Sequence, residues 1–226
     1  MALQHAYLLH VRPYRETSVL ADVFTAETGR FAAVWRGGRK SRQSLPQLFQ
    51  PLMVDAQGTG ELKTLRAVES AGPAQQLTGL ALFSGFYLNE LLVRLLPRDE
   101  AQGPLFLRYS HVLGELADGG DVESRLRLFE ALLLDVLGYG LDYRHDADTG
   151  AAILPDRYYD YHPERGFFRS RRGGGGFPGM LLLQLAEGNQ DSPEAMKVCK
   201  QVHRRALASL LGNRPLKSRE LFLSSR

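Results

Sequence analysis

Cysteine is nearly absent from this chain of 226 residues. Cys199 stands alone, so no disulfide can form within the chain, and a reducing compartment suits it. No apolar run approaches the length of a membrane span. The N-terminus MALQHAYLLHVRP lacks the charged and apolar regions of a signal peptide. No fixed-period repeat occurs. The catalytic signatures GxxxxGK[ST], GxSxG and HExxH are missing, and Gly173–Gly176 is not followed by the Lys-Ser/Thr of a phosphate loop. Cys199 and His203 have a spacing that could hold a metal, but two further ligands are lacking, which points to packing. Nothing marks an enzyme, and no cofactor or metal is expected.

What is present fits a globular chain of one or two domains, with 44% apolar and 23% charged residues. Charge is unevenly spread. Residues 1–79 hold nine Lys/Arg and six Asp/Glu, residues 80–196 eleven and eighteen, and residues 197–226 eight and one. A basic start, an acidic middle and a basic end result.

The first eighty residues alternate as strands. Tyr7–Arg12 ends at Pro13, read as a strand stop. Ser18–Thr25 is rich in β-branched and aromatic residues, and Ala26–Gly29 turns it into Arg30–Trp35. Leu48–Gln57, the Gly58-Thr-Gly60 turn and Glu61–Glu69 complete five strands, with an interruption between the third and fourth. That pattern suggests an OB-fold barrel, with an SH3-like barrel as the competing small β fold. In the interruption lies Arg36-Gly-Gly-Arg-Lys-Ser-Arg42, four cations with no acid. Such runs are usually solvated loops. Projecting from a barrel, this one is suited to a phosphate backbone. Candidate DNA-binding cations are Arg12, Arg15, Arg30, Arg36, Arg39, Lys40, Arg42, Lys63 and Arg66, with Lys217 and Arg219 in the basic C-terminal segment. Lys63 and Arg66, three apart, share a ligand only if their strand is bulged or coiled. Phe31 and Trp35 share one face and are expected to fill the barrel rather than stack on bases.

From Thr78 the period changes to helical. Leu80–Leu96, Pro104–Ala117, Val122–Leu137, Met180–Ala186 and Pro193–Leu211 read as helices, the last capped by Asp191 or Ser192. Asp156–Tyr161 and Gly166–Ser170 read as a hairpin in an irregular segment, 139–179. The expected class is therefore α+β: an OB barrel over 1–79 and a helical domain over 80–226. Arg125 and Arg127 near a helix start oppose the helix dipole, which could signal an anionic ligand, although solvated arginines are the plainer reading.

Several motifs resemble the bacterial RecO family of recombination mediators. They are Arg12-Pro-Tyr-Arg-Glu-Thr-Ser18, Asp22-Val-Phe-Thr25, Gly29-Arg30, Gly58-x-Gly-Glu-Leu-Lys-Thr-Leu-Arg66, Tyr87-Leu-Asn-Glu-Leu91, Leu137-Gly-Tyr-Gly140 and Pro215-Leu-Lys-Ser-Arg-Glu-Leu-Phe222. The resemblance runs along essentially the whole chain. It implies a protein of the bacterial cytoplasm and nucleoid that binds single- and double-stranded DNA and anneals complementary strands. It also implies binding of the acidic tail of single-stranded DNA-binding protein (SSB) and, with RecR, loading of RecA. For the SSB tail the expected contacts are Arg125, Arg127 and Phe129. Many family members carry four zinc-binding cysteines after the Leu-Gly-Tyr motif. Here residues 141–172 have none, and His145–Asp148 stands in their place, so no zinc is expected. An OB-fold RNA-binding or translation-associated protein is the alternative, and a nuclease a third class.

Overall fold

The computed structural model describes residues 3–37, 46–171 and 176–224. Five strands, β1 (Gln4–Tyr14), β2 (Ser18–Thr25), β3 (Gly29–Trp35), β4 (Leu52–Gln57) and β5 (Leu62–Ser70), close into a barrel of order β1-β2-β3-β5-β4. All neighbours are antiparallel except β3 and β5. This is the OB arrangement, followed by helices, so the expected α+β class holds. The barrel is filled from alternate strand positions, among them Leu8, Val23, Phe31, Leu52 and Leu65. Phe31 lies inside, and Trp35 packs half-buried against the same core.

Pro13 does not stop its strand. Pro13 pairs with Val19 and Tyr14 with Ser18, so β1 runs two residues past Arg12 to the tip of the hairpin. The fourth strand begins at Leu52 rather than Leu48, because Phe49 takes a left-handed φ of 65° just before it.

The helices are α1 (Gly79–Leu95), α2 (Gly103–Ala117), α3 (Val122–Val136), α4 (Gly179–Ala186), α5 (Pro193–Leu211) and a short α6 (Ser218–Ser224). Between α3 and α4, β6 (Tyr158–His162) and β7 (Gly166–Arg169) form the expected hairpin, and β8 (Phe177–Pro178) pairs on the other side of β6. Two compact units result: residues 1–125 with 215–226, and residues 126–214. The expected boundary at residue 79 follows the change of secondary structure. The first compact unit instead runs on through α1 and α2 and takes in the C-terminal helix.

Family motifs explain why. In β1, Leu8 pairs with Val23 and His10 with Asp22, leaving Leu9 as a bulge. The Leu9 carbonyl accepts from Asn89 Nδ2 at 2.9 Å, and Asn89 Oδ1 accepts from Tyr109 at 2.5 Å. Both side chains are buried. Burial pushes the Tyr109 phenol well above its ordinary pKa, so it stays a donor. Tyr7, Phe24, Phe106 and Tyr109 form an aromatic cluster between barrel and α2. Next to Asn89, Glu90 accepts from the Lys217 and Ser218 amides at 2.9 and 2.8 Å, and from Ser218 Oγ at 2.7 Å. One carboxylate thereby caps α6 and ties the C-terminal motif to α1.

The second unit is organised differently. Gly138, φ 81°, ends α3, and the Tyr139 amide reaches back to the Leu134 carbonyl at 2.8 Å. Asp146 is buried in the segment between α3 and the hairpin. It accepts from the amides of Asp148, Thr149 and Arg169 at 2.9, 3.2 and 3.0 Å. Tyr143, Tyr161, Phe167 and Phe177 pack edge and tilted around the hairpin. A carboxylate and an aromatic cluster thus hold the hairpin. Among the described residues, no group of three or more His, Cys, Asp or Glu could hold a metal.

Candidate nucleic-acid interface

The barrel carries a groove of about 600 Å³, lined by Val34, Leu62 and Thr64 and by the β1–β2 hairpin tip. Three of the cations expected from the sequence, Arg15, Arg36 and Lys63, line it, and among the described residues Glu16 is the one acid there. Arg15 sits at the hairpin tip with a left-handed φ of 51°, its guanidinium 5.2 Å from the Tyr14 ring. Arg36 is exposed where β3 leaves the barrel. Arg39, Lys40 and Arg42, the rest of the basic loop, lie outside the described residues.

The remaining candidates divide by burial. Arg12 is exposed on β1, opposite Leu20. Arg66 is exposed on β5 at an irregularity: Leu65 pairs with Ala56 and Ala67 with Asp55, leaving Arg66 as the extra residue. The bulge needed for Lys63 and Arg66 to share a side is therefore present. Lys63, however, is mostly buried, its Nζ 2.7 Å from Asp99 and 5.4 Å from the Phe31 ring. Its charge is already matched within the groove lining.

Arg30 is a correction. It is 8% exposed, donates Nε to the Leu96 carbonyl at 3.0 Å and lies 3.3 Å from Asp22. Burial lowers its pKa against the raising effect of Asp22. Its guanidinium anchors β3 to the end of α1 and is turned inward to Leu96 and Asp22. In the C-terminal segment Lys217 is exposed and Arg219 half-buried on α6, both in the same unit as the barrel.

The three residues expected to hold an acidic tail are also largely corrected. Phe129 is wholly buried. Arg127 is buried and bonds Glu130 at 2.7 Å, and Glu130 in turn meets His203 Nδ1 at 3.0 Å. Cys199 Sγ lies 3.6 Å from His203 Nε2, which completes a closed internal chain. A helix stripe read as a partner groove is thus the unit's own core. Arg125 alone stays half-exposed, 3.3 Å from Glu115. What the sequence hid was the surroundings of each cation: Asp99 and Glu115 are brought in by folding, and the local pair Arg127–Glu130 is turned into the core.

A closed barrel of this order, with a cation-lined groove and appended helices, defines an OB-barrel protein. Residues 1–74 match the model of the recombination protein O N terminal region and residues 76–220 that of its C terminal region. The chain is 45% identical over 226 residues to the DNA repair protein RecO of Methylococcus capsulatus, covering 99% of this chain and 93% of that one. It is 46% identical to that of Pseudomonas aeruginosa, covering 100% and 96%, and 41% identical to that of Aliivibrio fischeri, covering 98% and 95%. The chain belongs to the RecO family of DNA repair and recombination proteins.

Proposed function

We propose that this chain is a non-catalytic recombination mediator that binds single- and double-stranded DNA and anneals complementary strands. With RecR it helps load RecA on SSB-coated single strands, in the bacterial cytoplasm at the nucleoid. The observation that carries the reading is the barrel groove, where Arg15 stands exposed at the hairpin tip and Arg36 at the start of the basic loop. Cations around a cleft neutralise a backbone without reading bases. Two strands neutralised on one protein lose the mutual repulsion that opposes pairing. The SSB tail is an acidic partner and needs an accessible cation. Arg125 is the remaining candidate, because Arg127 and Phe129 are enclosed.

Replacing Arg36, Arg39, Lys40 and Arg42 with alanine tests the reading. Each phosphate contact adds roughly 0.7–0.9 to the slope of log affinity against log salt, so the slope should shrink by up to about 3. The loss should not depend on base sequence, and strand annealing should fall with it. An unchanged slope would remove the loop from the DNA path. Parallel titrations with RNA separate this function from RNA binding.

A further inference from the structure

The sequence holds no Asp or Glu between Glu194 and Glu220, while the first part of that stretch forms α5. One face of α5 is buried through Ala195, Val198, Cys199, Val202, His203, Ala206 and Leu207. The opposite face exposes Lys197, Lys200, Gln201, Arg204, Arg205 and Ala208. At about 100° per residue, Lys197, Lys200 and Arg204 fall within an arc of roughly 60° and span about 10 Å of the axis. That is close to the axial reach of four successive phosphates of one duplex strand, about 3.4 Å apart, so three cations can be spread along such a run. Arg205 stands to one side, its guanidinium 5.0 Å from the Phe177 ring.

The stripe has a cost. Lys197 and Lys200 are three residues apart and Lys200 and Arg204 four, spacings at which like charges destabilise a helix. Glu194 is the one acidic residue of this helix. Ala208 is the only apolar side chain exposed among the six, so these residues offer little to the apolar groups of an acidic peptide. It matches a partner that carries regular negative charge and asks for nothing else.

We propose that the exposed face of α5 is a second contact for a DNA phosphate backbone, on the unit that does not contain the barrel. This rests on the reading of the chain as a DNA-binding protein and adds a site that the barrel does not supply. It gives one chain two independent surfaces for polyanions, as annealing of two strands requires.

The test uses the full chain with Lys197→Ala, Lys200→Ala and Arg204→Ala combined, and a charge-keeping control, Lys197→Arg with Lys200→Arg and Arg204→Lys. Anisotropy of labelled mixed-sequence duplex and single strands is followed from 50 to 200 mM salt. The alanine variant should lose about 2.7 from the slope for duplex, so that its affinity falls roughly 40-fold less across that range than the parent's. The control should keep the parent slope. Melting temperature of the alanine variant should be unchanged or raised, since repulsion along α5 is relieved. A parent-like slope in the alanine variant, or an equal loss in the control, overturns the proposal. A parent protein without any salt-dependent affinity for DNA would instead remove the DNA-binding reading itself.

Discussion

Substituting Gly29 with alanine should be among the most damaging small changes in the barrel. Gly29 has φ 78°, and a Cβ there would stand 1.8 Å from the Glu100 carbonyl oxygen and 2.5 Å from its carbon. Both are backbone atoms, so no side-chain rotation relieves the overlap. Left-handed φ alone costs an alanine about 1–2 kcal/mol. Clearing the overlap requires β3 and residues 96–100 to part. That breaks the Asp99 amide bond to the Arg30 carbonyl, 2.8 Å, and the Arg30 Nε bond to Leu96, 3.0 Å. One is neutral, about 1 kcal/mol, and one charged, about 1.5–3 kcal/mol. A loss of about 4–5 kcal/mol follows, a large share of a typical domain's stability. Gly37→Ala is the control: φ is 75°, yet nothing among the described residues lies within 4 Å, so about 1–2 kcal/mol is at stake. Urea unfolding followed by the single tryptophan, Trp35 of β3, reports this unit directly. Equal midpoints for the two variants would refute the claim that β3 is locked to the end of α1.

Other expectations concern the buried carboxylates. Glu90 is desolvated, which raises its pKa, but the Ser218 and Lys217 donors outweigh this and the net shift is downward. A lowered pKa gives stability that is present above the unfolded value, near 4.3, and is lost as pH falls through the folded value below it. Hydrogen exchange of residues 216–222 should therefore accelerate below about pH 4, and Glu90→Gln should show the fast rate at pH 7. Arg127→Ala would leave Glu130 with one partner fewer in a closed core and should cost about 3–5 kcal/mol, seen as loss of cooperative unfolding of the second unit. Asp146→Ala strands three amides at the hairpin and should cost about 2–4 kcal/mol, measured by thermal melting; an unchanged melting temperature would remove Asp146 as the organiser of that segment.

Strand alternation, the turn glycines and the change to helical period were legible because they are local. Each depends on residues a few positions apart, and the five strands and main helices follow from them. The motifs with which the family resemblance was drawn were legible as strings, but their work was not. Asn89 serves a β-bulge 80 residues away, and Glu90 an amide 127 residues away. The short α6 and β8 escaped because each is stabilised by a distant partner, Glu90 and β6, rather than by its own pattern.

Charge was read least well, for a physical reason. A sequence counts cations but does not say which carboxylate desolvation and folding bring beside them. Arg12, Arg15, Arg36 and Arg66 remain exposed, whereas Arg30, Lys63 and Arg127 are largely buried beside Asp22, Asp99 and Glu130. The amino-acid order by itself determined that the chain builds a basic-edged barrel followed by helices. Only the tertiary structure decided which of its cations stay at the surface and which hold the protein together, because burial is a property of the folded chain whether the carboxylate lies three, eight or 36 residues away.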